Sequence, residues 1–379
     1  MDIHQPLPLL GGLSPHRFMQ RHWQRKPLLI RQAIPGFGPP IARTALFALA
    51  ARDDVESRLV VGPAVGGPPG AGWRLRHGPL ARRSLPPIGQ PNWTLLVQGV
   101  DLHHPALHAL LNRCRFVPDA RLDDVMVSYA APGGGVGPHF DSYDVFLLQA
   151  LGRRRWRIGR QQDLSLQPGL PLKILRNFVP QQEFDLEPGD MLYLPPRYAH
   201  DGVALQEECM TCSIGFRAPG AGELAAELLQ RLAQDAADEL PVRHYRDAGQ
   251  AALGRPAELP AAMVEFAQRA LNQALADPMR LARCLGEHLT EPKPLVWFEA
   301  SAHASPVGAV QLDRRTRMLY DAHHVFINGE SYRASGRDAS LMRQLADARS
   351  LDAPACRGAS AAARDLLHSW LAAGWLHGV

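Results

Sequence analysis

A change of periodicity at Pro219-Gly220 limits what this chain can become more than any other feature. Up to about residue 218, short apolar runs alternate with Gly/Pro punctuation. Asp124–Ala130, Tyr143–Ala150, Arg154–Gly159, Asp190–Leu194 and Met210–Phe216 each read as a strand. They are bounded by stretches such as Pro132-Gly133-Gly134-Gly135 and Glu187-Pro188-Gly189-Asp190. Many short strands at such spacing predict an all-β sandwich or barrel, preceded by a helix over Pro15–Gln24 that ends before Pro27. After Pro219-Gly220 the apolar residues fall at helical spacing. Leu224, Leu228, Leu229 and Leu232 line one side of a helix over Gly222–Leu240, and further helices are predicted over Ala261–Ala276 and Pro278–His288. Helices this apolar, outside the β-domain, need covering, and a homodimer interface is one answer.

Beyond Glu291-Pro292-Lys293-Pro294, strands and helices mix in under a hundred residues, as in a winged helix. One hairpin is expected to join Ala309–Leu312 to Met318–Tyr320 across Asp313-Arg314-Arg315. A second joins Val325–Ile327 to Ser331–Arg333 across Asn328-Gly329, a strong turn signal. Helices are predicted over Ala339–Ala348 and Ala361–Ala373. The expected architecture is α+β in three parts: residues 1–218, 219–290 and 291–379.

Composition narrows the setting. The chain has 379 residues, 46% hydrophobic and 21% charged, which fits a soluble multidomain protein. No apolar run approaches the roughly 18 residues of a membrane span, and no secretory signal pattern opens the sequence, so a cytoplasmic location is expected. Cys114, Cys209, Cys212, Cys284 and Cys356 are odd in number and scattered, which argues against a disulfide framework. Cys209-Met210-Thr211-Cys212 lacks the second pair a zinc site would want, and reads as buried thiols in a strand. A net charge of +4 permits a nucleic-acid or ribonucleoprotein partner without demanding one.

The chemistry concentrates in Gly133-Gly134-Gly135-Val136-Gly137-Pro138-His139-Phe140-Asp141. Side chains at i and i+2 of a strand share a face, so the imidazole of His139 and the carboxylate of Asp141 can converge on one ion. His200, which follows a Pro-Gly-Asp turn, an apolar strand and Pro195-Pro196, is the candidate third ligand. Two nitrogens and one oxygen on a triangular face are the arrangement of non-haem Fe(II) oxygenases. His-x-Asp alone is weak among 16 histidines, and the added His200 context gives it weight. His103-His104 and His323-His324 have no carboxylate at i+2 and read as solvated loop residues. In Leu151-Gly152-Arg153-Arg154-Arg155-Trp156-Arg157-Ile158, strand parity puts Arg154 with Trp156 and Ile158 on the buried side. A buried arginine needs an anion, and its planar fork suits the distal carboxylate of 2-oxoglutarate. Arg153, Arg155 and Arg157 face the other way, as a solvated or partner-facing stripe.

These motifs, with Tyr143-Asp144-Val145-Phe146, Gly152-Arg153-Arg154-Arg155-Trp156 and the opening His22-Trp23-Gln24-Arg25-Lys26-Pro27-Leu28, resemble the JmjC-type ribosomal oxygenases. The resemblance spans essentially the whole chain and is strongest between about residues 120 and 217. It implies a cupin-like double-stranded β-helix as the catalytic domain, then a helical dimerisation segment and a C-terminal winged-helix-like domain. It implies iron on His139, Asp141 and His200, and 2-oxoglutarate against Arg154 with Ser213 as a second contact. For substrate it implies an arginine of large-subunit ribosomal protein 16, in a pocket of Asp124, Met126 and Tyr143. A carboxylate there can pair a guanidinium while thioether and phenol pack its stem and plane. The implied chemistry couples decarboxylation of 2-oxoglutarate to hydroxylation of an unactivated side-chain carbon.

The metal motif by itself does not separate this reaction from demethylation of a methylated lysine or arginine, or from histidine hydroxylation, although Asp124 favours a cationic substrate. A ligand-sensing cupin with a DNA-binding terminal domain is a rival from another class. It is disfavoured because Ala339–Ala348 offers only Arg343 and Ala361–Ala373 only Arg364. A cupin-type isomerase would need neither 2-oxoglutarate nor Arg154.

Overall fold

Residues of opposite parity on the strand Leu122–Ala130 meet different environments. Val125, Val127 and Tyr129 enter a large apolar core, packed with Phe18, Phe47, Leu107 and Leu110 from helices Pro15–Arg21, Arg43–Ala50 and Pro105–Asn112. Asp124, Met126 and Ser128 point the opposite way. This parity runs through a computed structural model that describes residues 1–63, 72–239, 243–252, 254–300 and 308–379.

The chain divides into two units, Met1–Ala218 and Pro219–Val379. In the first, the strands are β1 (Leu28–Ile30), β2 (Ser57–Val61), β3 (Arg74–His77), β4 (Trp93–Val97), β5 (Leu122–Ala130), β6 (Val145–Leu151), β7 (Arg154–Gly159), β8 (Gln182–Leu186), β9 (Met191–Leu194), β10 (Ala199–Ala204) and β11 (Cys209–Phe216). Among the described residues they form an eight-stranded sheet, in the order β1-β9-β6-β11-β5-β4-β2-β3, and a three-stranded sheet, β10-β7-β8. A second apolar cluster joins the inner faces of the two sheets: Val145, Leu147, Leu192 and Leu194 of the large one meet Trp156, Ile158 and Leu186 of the small one. Antiparallel strands wound between two facing sheets make a double-stranded β-helix. The predicted strands are present with ends moved by a residue or two, and Arg154–Gly159 is unchanged.

The opening His22–Leu28 segment locks this barrel from outside. Trp23 stacks on Tyr193 at 6.0 Å and meets Phe216 edge-on at 5.0 Å. The Gln24 backbone N–H donates to the Tyr193 hydroxyl at 2.8 Å, and that hydroxyl donates to buried Asp144 at 2.6 Å.

In the second unit, helices span Ala221–Glu239, Ala261–Leu275 and Pro278–Thr290. The expected helix end at Leu240 lies outside the described residues. Asn328-Gly329 makes the predicted turn: both residues have positive φ, and Ile327 pairs with Glu330. The other hairpin does not form. Val310–Leu312 pairs instead with Ser350–Leu351 and Leu376–Gly378, while Met318–Tyr320 pairs with His324–Ile327. Asp313 explains the divergence. Its buried carboxylate accepts from the Arg315 N–H at 2.8 Å and from His377 at 2.6 Å. The intended turn is thereby tied to the C-terminal strand and turned away from Met318. His324 also departs from expectation: it is buried in its strand, beside Asp321.

Burial alone would raise the Asp313 pKa, but the hydrogen bonds from Arg315 and His377 outweigh it and hold the carboxyl at about 2. A folded pKa below the unfolded value gives stability above about pH 4 that is lost as pH falls towards 2, here roughly 2 kcal/mol. The stability gap between the parent and Asp313→Asn, measured by denaturant unfolding, should therefore shrink across that window. A gap of equal size at neutral and acid pH would refute this.

Candidate metal centre

His139 and His200 are paired through the backbone. Each N–H donates to the other's carbonyl, at 2.9 and 2.8 Å, as an isolated antiparallel bridge between the segment entering β6 and strand β10. A directly opposed pair puts both side chains on one face, and the ring centroids are 4.2 Å apart. Each Nδ1 also faces a carbonyl: His139 that of Gly137 at 2.9 Å, His200 that of Tyr198 at 2.9 Å. A carbonyl only accepts, so Nδ1 carries a hydrogen in both rings, and in the neutral tautomer the lone pair falls on Nε2. Burial, then the neighbouring His139, pushes the pKa of His200 down to about 4, which keeps it neutral at physiological pH. Asp141 completes the group, its Oδ2 3.6 Å from His200 Nε2. Its backbone carbonyl is held by the Arg197 N–H at 2.7 Å, where the chain turns through a positive φ after Pro195-Pro196. One potential ligand atom from each of His139, Asp141 and His200 lies within 4.8 Å of the others. Two neutral imidazoles and one carboxylate at this spacing fit a divalent iron.

The register of β7 against β10 sets the neighbouring slot. Ala204 faces Arg154, Gly202 faces Trp156 and His200 faces Ile158, so Arg154, Trp156 and His200 share the inner face. Trp156 stands between the other two, 5.8 Å from the His200 ring and 5.7 Å from the Arg154 guanidinium carbon. Gly202 makes room for it: a Cβ there would come within 2.6 Å of the indole. Arg154 is 5% exposed, and its buried Nε and Nη2 meet no acceptor among the described residues. Burying a guanidinium with donors unpaired is costly, and an anion beside Arg154 would offset that cost. Ser213 lies on β11 opposite Met126 and Leu147, on the same inward side of the barrel.

The other predicted residues divide. Met126 and Asp124 share the inner face of β5, but Asp124 is only 2% exposed. Its Oδ2 already accepts from the Gln98 side chain and the Gly99 N–H, both at 2.8 Å, while its Oδ1 lies beside Gly215. Tyr143 is 40% exposed. Burial of its phenol, then the carboxylates of Asp141 and Asp124, push its pKa well above the ordinary tyrosine value, so it stays a neutral donor. The arginines on the outer face are not simply solvated: Arg155 pairs with Asp185 at 2.8 Å and Arg157 with Asp201 at 2.5 Å. Sequence reasoning missed the carbonyls of Gly137 and Tyr198, because a backbone partner leaves no residue type to read. It also missed the space at Gly202, which only the strand register reveals.

Glu227, His288 and Glu291 also approach ligand spacing. The guanidinium of Arg231 already bridges both carboxylates and offsets part of their charge.

Comparison with known proteins agrees with this geometry. A JmjC domain model matches residues 109–224 and a ROXA-like winged-helix model matches residues 273–377. The ribosomal protein uL16 3-hydroxylase of Escherichia coli K12 is 36% identical over 279 residues, 73% of this chain and 71% of that one. Ribosomal oxygenase 1 of Gallus gallus is 27% identical over 215 residues, 52% of this chain and 34% of that one. The X-ray structure of Escherichia coli YcfD superposes with a TM-score of 0.82 at 30% identity, covering 96% of this chain and 97% of that one. The same Escherichia coli ribosomal oxygenase in complex with cobalt and 2-oxoglutarate gives a TM-score of 0.79 at 30% identity, covering 96% and 98%. On the strength of the JmjC match and the uL16 3-hydroxylase relative, the chain belongs to the JmjC ribosomal oxygenases.

Proposed function

We propose that this protein hydroxylates an arginine side chain of ribosomal protein uL16, with His139, Asp141 and His200 holding the metal. As a JmjC oxygenase it uses Fe(II) and 2-oxoglutarate. When bound, this pair activates dioxygen and supplies an oxidant able to attack an unactivated C–H bond. The observation that carries the reading is the conjunction of two imidazoles with Nε2 lone pairs, one carboxylate, and an arginine sealed without an acceptor on the same sheet face.

The residues divide the work. The backbone carbonyls of Gly137 and Tyr198 engage Nδ1 of His139 and His200, which turns each Nε2 towards the metal position. Arg154 receives the distal carboxylate of 2-oxoglutarate, with Ser213 as the second contact, and Trp156 forms the wall between this anchor and the metal. With one carboxylate among three ligands, a divalent ion leaves the site net positive, which suits a dianionic cosubstrate. Tyr143 stands at the open side and Met126 on the inner wall, where they can pack the stem and plane of a guanidinium. Asp124, held by Gln98 and Gly99, supplies negative field beside them.

The three-part division at residues 218 and 290 is part of the same reading, with 219–290 as a dimerisation segment. Among the described residues, helix Ala261–Leu275 buries none of its side chains in the chain's own core, and Val264, Leu271 and Leu275 are at least half exposed. A second copy is the proposed cover. Specific DNA is not a proposed partner, since Arg343 and Arg364 donate to carbonyls of their own unit. Five cysteines, all free and buried, suit the proposed cytoplasmic setting.

Purified protein with Fe(II) should convert 2-oxoglutarate to succinate faster when a uL16 fragment is present, and the fragment should gain one oxygen on an arginine. His139→Ala should abolish both. Arg154→Ala should weaken 2-oxoglutarate binding by roughly 3 kcal/mol, on the order of 10²-fold. Turnover that uL16 does not stimulate would exclude the proposed substrate, and 2-oxoglutarate binding untouched by Arg154→Ala would exclude its anchor. In light scattering, Leu271→Glu with Leu275→Glu should halve the particle mass; a parent that is already monomeric would end the dimer proposal.

A further inference from the structure

We infer that Trp73 and Ile174 are positioning residues for the metal centre, acting through the backbone of Gly137; the inference rests on His139 being a metal ligand. Gly137 carries φ +78°, a conformation that favours glycine, and its carbonyl is the acceptor for His139 Nδ1 at 2.9 Å. Whatever fixes this carbonyl therefore fixes the imidazole's tautomer and its aim. Two side chains from distant parts of the chain close on Gly137. A Cβ built there would lie 3.0 Å from Ile174 Cδ1 and 3.0 Å from Trp73 Cζ2.

Both side chains are themselves held. The Trp73 indole also packs on Gly62, where a Cβ would lie 3.4 Å from Cζ3, so it is seated between two positions without side chains. Ile174 is 2% exposed and comes from the connection between β7 and β8, for which no strand or helix was expected. Its neighbour Leu175 donates its N–H to the Pro138 carbonyl at 2.8 Å. Pro138 has its own φ fixed by its ring. The residues on either side of the Gly137–Pro138 peptide bond are thus pinned: Gly137 by two apolar side chains, Pro138 by its ring and a hydrogen bond. A carbonyl freed from that grip would let the imidazole swing away from the metal direction. Loss of partners of this kind typically weakens metal binding about 10–100-fold.

The test is titration of the full chain with Co(II) alone, read by its visible ligand-field absorption, beside melting of the metal-free protein. Ile174→Val removes the Cδ1 methyl that faces Gly137 while sparing the core, so it keeps the test meaningful should Trp73→Ala fail to fold. Trp73→Ala and Ile174→Ala are expected to weaken Co(II) binding about tenfold and to alter the spectrum at saturation. Ile174→Val should move affinity a smaller step the same way, and Trp73→Phe should restore most of it. Variants that lose thermal stability yet bind Co(II) with parental affinity and spectrum would overturn the inference and make these residues ordinary packing. Unaltered Co(II) binding by His139→Ala would instead overturn the metal assignment on which the inference stands.

Discussion

The reciprocal backbone pair between His139 and His200 is the constraint on which the rest depends. It joins the segment entering the large sheet to a strand of the small one. Side chains of a directly opposed antiparallel pair have no choice but to share a face. Once this bridge forms, two imidazoles meet, and Asp141, two residues on, falls within reach. The metal site is thus a consequence of sheet registration. Each slip of one residue would reverse every side chain from inside to outside and scatter the ligands.

That dependence explains what could be read in advance. His139, Asp141, His200 and Arg154 were legible because parity and motif order survive without knowledge of how strands pair. The pairing partners were not legible. Val310–Leu312 looks like one arm of a hairpin with Met318–Tyr320, yet the Asp313 carboxylate, tied to Arg315 and His377, sends the arms to different sheets. Local turn chemistry was outweighed by a contact more than sixty residues away in sequence. Asp124 illustrates the same limit. Its residue type and face suggested a partner for a substrate cation, but only the fold brings Gln98 and the Gly99 N–H to one of its oxygens.

Arg154 shows how function and stability oppose each other. Arg157, partly exposed on the outer face of the same strand, pairs with Asp201. Arg154, one strand position removed in parity, has its Nε and Nη2 sealed without an acceptor. The protein alone therefore carries a desolvation penalty that a dianion would relieve, and ligand binding to such a site also stabilises the folded state by mass action. Trp156 limits the penalty, since its ring lies 5.7 Å from the guanidinium carbon and offers its π face to the cation.

The placement of these groups also separates what is general from what is specific. The proposed third metal ligand, His200, and the proposed anion anchor, Arg154, lie on β10 and β7 of the small sheet, fixed by one register. The residues proposed to meet the substrate lie on β5 and on the turn before β6, on the opposite wall. On the outer face of the small sheet, Arg155 of β7 pairs with Asp185 of β8 and Arg157 of β7 with Asp201 of β10, which ties its three strands in that register. His139, on the segment entering β6 together with Asp141, joins the two walls. Its backbone is bound to β10, but its ring is aimed by Gly137, whose surroundings come from Trp73 and the β7–β8 connection. On the inference above, the orientation of His139 thus rests on side chains from two distant parts of the chain.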